Sequence, residues 1–157
     1  MNRMLVLALA AEFQGFVRDL HNERVEEFVH RTSFLGPNHA LVLRPLLAAN
    51  RRIDKGNPDA GTLGEDFGRF GSVWWTALNN RDGRTASRQA HLDRLIKARN
   101  GIAHADEQKL TDLAQEGYPI ILRTVRTWHD AMKGLAGTVD RELCDQVIRV
   151  FGGHKPW

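Results

Sequence analysis

Apolar residues recur every three or four positions along most of the chain, which is the spacing of helices that bury one face. The first such stripe predicts a long helix from about Arg3 to Arg31, which ends before the turn residues at 32–37. A second helix, rich in leucine and alanine, is predicted from Asn38 to about Arg52. Pro45 either kinks this second helix or starts its main part, because proline lacks the amide hydrogen that a helix interior needs.

Turn residues interrupt the helical spacing in the middle of the chain. Residues 53–71 contain five glycines and an Asn-Pro-Asp turn sequence, so they are predicted to form a loop with at most a short helical piece. Ser72 is then expected to cap a short helix that ends near Asn80 and carries the adjacent pair Trp74 and Trp75. Because neighbouring helical residues point roughly 100° apart, at least one tryptophan is expected in the core. The other could stack a nucleic-acid base.

Helical spacing returns in the second half of the chain. One helix is predicted from about Thr85 to Asn100, with Gly101 placed to break or cap it. Asp106 and Glu107 lie where carboxylates favour the start of a further helix, which carries apolar residues as far as Met132, with a disturbance expected at 117–119. Thr138 predicts the cap of a last helix over about 138–151, because a glycine pair follows it. The inward-facing positions of the helix from Thr85 are predicted to be Ala86, Ala90, Leu92, Leu95 and Ile96.

These elements predict a single all-α domain over residues 1–157, folded as an up-and-down helical bundle with accessory helices. The hydrophobic fraction of 42% and charged fraction of 26% are typical of a soluble globular protein, and no apolar run is long enough to cross a bilayer. The apolar residues of 1–11 continue the spacing of the first helix, which favours a helix over a secretory signal. The only cysteine, Cys144, agrees with a reducing compartment, so a cytoplasmic location is predicted.

Positive charge is concentrated in one part of the chain. The whole sequence carries a formal net charge of +3, whereas residues 81–99 alone hold six basic residues against two aspartates, a net charge of +4. Such a concentration favours an anionic partner such as RNA, although any one of these side chains could simply form a solvated helix face. The candidate RNA-binding residues, which include two from a later basic stripe, are Arg84, Arg88, Arg94, Lys97, Arg123 and Arg126.

Arg99, Asn100 and His104 combine the groups that phosphodiester chemistry requires. An arginine fork matches a phosphate, an amide can orient a neighbour or hold the phosphate, and histidine transfers protons near neutral pH. Metal-free RNA cleavage needs a base, an acid and a cation for the charge of the phosphorane. Helical residues five apart point roughly 140° from each other, whereas residues four apart share a face. Cooperation of Arg99 with His104 therefore predicts a bend at Gly101, a helix end or a second subunit.

This pattern resembles the signature of the HEPN superfamily, in which four to six residues separate an arginine from a histidine and a polar residue commonly follows the arginine. The resemblance implies a metal-independent endoribonuclease that needs no cofactor and cuts RNA by attack of the ribose 2′-OH. It implies that Arg99, Asn100 and His104 are catalytic. It also implies a homodimer whose two motifs face each other across one cleft. A toxin or phage-defence role follows by analogy, with RNA and an antitoxin protein as partners.

Two other readings of the sequence stay open. One is a noncatalytic HEPN module that dimerises, binds RNA or pairs with a nucleotidyltransferase-like antitoxin. The other is a helical interaction protein in which the motif is accidental. Metal chemistry is not predicted, because Glu27 and His30 form only one copy of a Glu-x-x-His spacing that di-iron bundles need twice. The glycines of 53–71 also lack the Gly-Lys-Ser/Thr ending of a phosphate-binding loop.

Overall fold

The computed structural model describes residues 1–71, 73–154 and 156, and within them it contains eight α-helices and no strand. The all-α prediction is therefore confirmed. None of the helices in this part of the chain combines the length and apolar character needed to cross a membrane. The helices are α1 (Asn2–Arg31), α2 (His39–Ala48), α3 (Arg52–Lys55), α4 (Ala60–Gly68), α5 (Trp74–Arg81), α6 (Thr85–Ala103), α7 (Glu107–Gln115) and α8 (Leu122–Phe151), with a 3-10 turn at Ser33–Leu35.

Helices α1, α6 and α8 form the centre of the bundle. The Asn2 side chain donates to the Ile120 carbonyl at 3.3 Å, and Arg31 donates to the Gly152 carbonyl at 2.8 Å. The starts and the ends of α1 and α8 therefore coincide, so these two helices run in the same direction. Helix α6 runs in the opposite direction, because Arg88 near its start contacts Thr138 in the second half of α8. The fully buried side chains between the three helices include Val6, Val17, Leu92, Leu95, Trp128, Leu135 and Leu143.

The C-terminal helix begins far earlier than the sequence predicts. Thr138 does not cap a new helix but lies inside α8, where its hydroxyl donates to the Gly134 carbonyl at 2.9 Å. Gly134 leaves room for the Arg88 guanidinium, since a Cβ atom there would lie 2.6 Å from Nε of Arg88 and the arginine side chain would have to shift. The predicted boundary at about 138 is wrong, because the Thr138 hydroxyl bonds back to its own helix instead of capping a new one. Ala86, predicted to face inward in α6, is exposed, and Thr85 is buried instead.

The segment 53–71 is also more ordered than its glycines suggest. It contains most of α3 and all of α4, so the prediction of a loop is wrong. Asp66, which is fully buried, accepts hydrogen bonds from the backbone N–H groups of Arg52 at 3.1 Å and Ile53 at 2.8 Å, and so caps α3 from a distance. Gly64 permits contact with the indole ring of Trp75, which a Cβ atom would approach to 3.1 Å. Nonlocal contacts of this kind leave no signal in the local sequence.

The predicted second and third helices are nearly correct. Helix α2 ends at Ala48 rather than near Arg52 and keeps Pro45 in its interior. The proposed cap at Ser72 lies outside the described residues, and α5 begins at Trp74. Trp74 fills the core, as expected for one of the pair, and its ring stacks on Phe67 at a centroid distance of 4.6 Å. Trp75 is half-buried and donates its indole N–H to the Ala60 carbonyl at 2.8 Å, so its polar edge is already used.

A buried histidine ties α1 to the turn before α3. His21 is fully buried, and Arg51 donates to its Nδ1 atom at 3.1 Å, which leaves the proton on Nε2 beside the Asp66 carbonyl at 3.3 Å. Burial, helped by the positive charge of Arg51, lowers the pKa of His21 from 6.5 to about 4. His21 is therefore neutral in the folded protein at pH values where the unfolded chain would protonate it.

This pKa difference predicts that acidification weakens the fold before most carboxylates titrate. Between its folded and unfolded pKa values, His21 binds a proton only in the unfolded state, so stability falls as pH decreases through that window. We expect a loss of about 1 kcal/mol in the free energy of unfolding between pH 7 and pH 5.5. In urea denaturation, the free energy of unfolding of His21→Gln should fall less between these two pH values than that of the wild type. His91, whose pKa burial also lowers, accounts for part of the slope that remains. An undiminished slope would contradict the assignment.

Candidate functional site

Helix α6 passes straight through the motif. Gly101 is helical and buried, and α6 continues to Ala103 with His104 as its C-cap, so the predicted break at Gly101 is wrong. The glycine serves interhelical packing instead. A Cβ atom on Gly101 would lie 2.7 Å from Cδ2 of Leu110, so the missing side chain lets α7 approach α6 closely.

A tight turn directly after His104 joins α6 to α7. The backbone N–H of Ala105 donates to the Ile102 carbonyl at 3.3 Å, and that of Asp106 donates to the Gly101 carbonyl at 2.8 Å. These two bonds form a Schellman ending, with Ala105 in the left-handed conformation at φ 51°. Asp106 then caps α7, because its carboxylate accepts from the Lys109 backbone N–H at 3.0 Å. That hydrogen bond is the main reason why the pKa of Asp106 is lowered.

Three polar side chains meet beside α6, one turn before the end of this helix. The amide oxygen of Asn100 accepts a hydrogen bond from Nη1 of Arg99 at 3.1 Å and another from Nδ2 of Asn57 at 2.8 Å. Asn57 precedes α4 and is half-buried, as are Arg99 and Asn100. Within this cluster of Arg99, Asn100 and Asn57, the amide cluster, the two hydrogen bonds both end on the Asn100 oxygen, and no carboxylate takes part.

His104 is exposed and lies one helical turn beyond Asn100. Its backbone N–H donates to the Asn100 carbonyl at 3.1 Å, so the two residues share a face of α6. Arg99 and His104 stand five positions apart on a continuous helix, so their side chains leave it roughly 140° apart. The structure thus brings Arg99 to Asn100 but does not bring Arg99 to His104 within one chain. No bend provides the cooperation that the sequence analysis considered.

Acidic partners occupy most of the basic run that precedes the motif. Arg84 and Arg88 both donate to Asp82, at 3.2 Å and 2.7 Å, and they hold the pKa of that carboxylate well below its usual range. Lys97 pairs with Glu116 at 2.7 Å. Arg81, which is not a candidate RNA contact, pairs with two acidic residues of α8. Acidic side chains therefore contact four of the six basic residues of this run, and Arg84 and Arg88 share one aspartate.

The remaining arginines of the candidate set have different surroundings. Arg94 lies over the ring of Tyr118, with its guanidinium carbon 4.2 Å from the ring centroid. Arg123 and Arg126 are exposed on the first turns of α8. Within the described residues, neither they nor Arg99 have a carboxylate within ion-pair distance. Arg99 is thus a partly exposed cation hydrogen-bonded to a neutral amide, and that arrangement leaves most of its charge available to an anion.

The first turns of α8 lie at the same end of the bundle as the α6–α7 turn. Arg3 near the start of α1 pairs with Glu107 at the start of α7 at 2.7 Å. The Asn2 side chain donates to the carbonyl of Ile120, just before α8. The exposed arginines of α8 and the exposed His104 therefore share one end of the molecule. Linear spacing along the sequence did not reveal this proximity.

Asn57 is the member of the cluster that sequence reasoning missed. Its only signal is the Asn-Pro-Asp turn sequence, which predicts a turn and not a contact 43 positions away along the chain. Two bonds fix the neighbouring backbone: Gln14 donates to the Gly56 carbonyl at 2.9 Å, and the backbone N–H of Ala60 donates to Asp93 at 3.1 Å. These bonds attach the turn to α1 and α6, so it lies beside Asn100.

Comparison with known families places the chain in one of them. A model of the family described as RiboL-PSP-HEPN matches residues 1–145, which include α1 to α7, most of α8 and the whole motif. The chain belongs to the RiboL-PSP-HEPN family. No curated protein and no solved structure matches it. Membership of a HEPN-type family confirms the resemblance inferred from Arg99 to His104. HEPN-type domains are generally RNases or nucleotide-binding modules, and they commonly form dimers and bind RNA.

Proposed function

We propose that this RiboL-PSP-HEPN protein is a metal-independent endoribonuclease with Arg99, Asn100 and His104 as its catalytic residues. The proposal depends on one observation, the absence of a carboxylate partner for Arg99 among the described residues. Its basic neighbours at 84, 88 and 97 are paired with carboxylates, whereas Arg99 donates to a neutral amide and stays partly exposed. A guanidinium in these surroundings matches the two nonbridging oxygens of a phosphodiester. The exposed His104 on the adjacent turn supplies a proton-transfer group.

The reaction is an internal transesterification. One His104 imidazole takes the proton of the ribose 2′-OH as its oxygen forms a bond to phosphorus. The bond from phosphorus to the 5′-oxygen then breaks, and a protonated imidazole gives that oxygen its proton. Arg99 and the amide N–H of Asn100 stabilise the negative charge of the phosphorane. The products are a 2′,3′-cyclic phosphate and a 5′-hydroxyl.

The site that we propose forms between two copies of the chain. On one straight α6, Arg99 and His104 point roughly 140° apart, so a single chain offers one proton-transfer group and a poorly placed cation. A twofold axis beside the α6–α7 turn would supply two histidines and two arginines to one cleft. The acid and the base would then be the same residue from the two copies.

A thiol crosslink tests this dimer. His104→Cys in a Cys144→Ser background carries a single thiol at the proposed axis, and a short bis-maleimide should convert most of it to a covalent dimer. His30→Cys in the same background provides the control, since His30 is exposed near the opposite end of α1. Equal yields of dimer from the two variants, or none from His104→Cys, would contradict the proposed interface.

The RNA backbone is proposed to follow the end of the bundle that carries His104. Arg123 and Arg126 are exposed there and can bind phosphates without breaking an ion pair. The other candidates would first have to leave their partners, namely Asp82 for Arg84 and Arg88, Glu116 for Lys97, and the Tyr118 ring for Arg94. We therefore assign the larger share of phosphate binding to the two arginines of α8.

Cleavage of RNA in the presence of EDTA is the direct test. The purified protein should cut single-stranded RNA without added metal, and the 5′ fragments should end in a 2′,3′-cyclic phosphate. It should not cut DNA of the same sequence, because DNA lacks the attacking 2′-OH. Cleavage of both polymers would rule out this mechanism.

The second candidate is a noncatalytic HEPN module that binds RNA, nucleotides or an antitoxin partner. Family membership alone is compatible with it. RNA binding without cleavage would favour it over the nuclease. A toxin or phage-defence role belongs to the nuclease proposal, and it requires that expression of the chain arrest growth and that His104→Ala relieve the arrest.

A further inference from the structure

The amide cluster fixes which atom of Asn100 faces outward. Arginine can only donate hydrogen bonds, so the atom of Asn100 that lies 3.1 Å from Nη1 of Arg99 must be the amide oxygen. The atom of Asn57 that lies 2.8 Å from the same oxygen must then be its nitrogen. Hydrogen-bond chemistry therefore assigns both amide orientations without ambiguity.

This arrangement saturates the oxygen of Asn100 and frees its nitrogen. A carbonyl oxygen has two lone pairs, and the two donors fill both of them. The Nδ2 group of Asn100 donates to no acceptor in the described part of the chain, and it is not among the buried polar atoms that lack a partner, so it is not fully buried. Asn100 thus presents two N–H donors beside the guanidinium of Arg99. Asn100 and Arg99 together have the donors of a phosphate-binding site, and the lone pairs of the Asn100 oxygen are both occupied, so none is left to repel an anion.

We propose that Asn57 is a positioning residue that holds Asn100 in this donor orientation for the scissile phosphate. The inference rests on the proposed nuclease function and adds a residue from outside the motif to its site. Without Asn57, the amide of Asn100 keeps a single partner, Arg99, and is free to rotate about its side chain. Its oxygen then faces the phosphate for part of the time, and it engages Arg99 less regularly.

The backbone around Asn57 is well placed for this role. Pro58 follows it and is buried, and a residue before proline has restricted backbone angles. Gln14 holds the Gly56 carbonyl on one side, and Asp93 holds the Ala60 N–H on the other. The Asn57 side chain therefore loses little freedom when it donates to Asn100, so the amide cluster is organised before RNA binds.

Two substitutions separate the donor role from a role in folding. Asn57→Ala removes the donor, and we expect kcat for a short RNA to fall about tenfold with little change in KM. Asn57→Asp keeps the shape but puts a carboxylate next to the Asn100 oxygen and beside Arg99. It should cost more, about a hundredfold in kcat, because Asn100 turns its nitrogen inward and Arg99 pairs with the new charge. Asn80→Asp, at an exposed asparagine outside the cluster, is the matched control for added charge and should leave kcat unchanged.

A double-mutant cycle provides the decisive measurement. If Asn57 acts through Asn100, Asn57→Ala should lower kcat in the wild-type background but have almost no effect in the Asn100→Ala background. An equal loss in both backgrounds would overturn the proposal and indicate a structural role. So would a loss of activity that follows a fall in melting temperature across the variants.

A binding experiment keeps this inference separate from the nuclease proposal. The dinucleotide dTpT carries a phosphodiester and lacks the 2′-OH, so it can be titrated while NMR follows the side-chain amide resonance of Asn100. We expect that resonance to shift in the wild type and in His104→Ala, and to stay in place in Asn57→Asp. If the wild-type resonance shifts but the wild type does not cleave RNA, the amide cluster binds phosphate and the nuclease proposal is wrong. Cleavage by the wild type with the same shift in Asn57→Asp would reject the role of Asn57 alone.

Discussion

Replacement of His104 by alanine is expected to reduce RNA cleavage by about a thousandfold, with binding of RNA nearly unchanged. General acid–base catalysis typically contributes about 10²–10⁴-fold, and in a symmetric site the substitution removes the acid and the base together. His104 is exposed at the C-cap of α6, and its side chain has no hydrogen bond in the described residues, so the fold should tolerate the change. Single-turnover cleavage in EDTA, with circular dichroism as a check on folding, gives the measurement.

Matched variants determine whether the loss belongs to the site. His30→Ala removes an exposed histidine near the far end of α1 and should keep full activity. Arg99→Ala should also lose about 10²–10³-fold, as expected when a group that stabilises developing charge is removed. Arg99→Lys keeps the charge without the planar fork and should recover only part of that loss. Cleavage by His104→Ala at the wild-type rate would show that the motif is not the active site.

Replacement of Asp66 by alanine is expected to lower the free energy of unfolding by about 3 kcal/mol. The Asp66 carboxylate is fully buried, accepts the backbone N–H groups of Arg52 and Ile53, and lies 3.4 Å from Nη2 of Arg69. Its removal leaves the buried N–H of Ile53 and the partly buried N–H of Arg52 without an acceptor at the start of α3, and a buried donor without a partner is costly. The loss should appear as a lower urea midpoint in equilibrium denaturation.

The neighbouring glutamate provides the control for this prediction. Glu65 also pairs with Arg52, at 2.6 Å, but its side chain is 60% exposed. Solvent screens such a pair, so Glu65→Ala should change stability by less than about 1 kcal/mol. Because α3 leads directly to Asn57, Asp66→Ala should also reduce cleavage at temperatures where the protein is still folded. Similar losses of stability in the two variants would mean that Asp66 does not organise the segment.

Residues 53–71 show why part of the fold was not predictable. Their glycines and the Asn-Pro-Asp turn sequence are ordinary loop signals, and they would form a loop if only neighbouring residues contributed. Asp66 caps α3 across 13 and 14 positions, and Asp93 in α6 holds the start of α4. Gly64 serves contact with Trp75. Each of these effects depends on residues that meet only after the chain has folded.

Gly101 failed as a boundary signal for the same reason, and α8 likewise continues through Gly134. Glycine lowers helix propensity by about 1 kcal/mol, which predicts a break when the sequence is considered alone. Leu110 fills the space above Gly101, and Arg88 fills the space above Gly134. Packing on both sides stabilises α6 and α8 by more than the glycines cost, so both helices continue.

Local patterns were enough to predict the helical class, the span of α1 and the start of α7 near Asp106, and to single out the three motif residues as candidates. These features depend on local spacing and on side-chain chemistry, which a linear pattern preserves. Contacts between distant parts of the chain set three other features: α6 continues through Gly101, acids pair with Arg84, Arg88 and Lys97, and Asn57 reaches Asn100. The physical reason is that a charge or an amide acts on whatever lies within a few ångströms, and only folding brings distant parts of the chain that close.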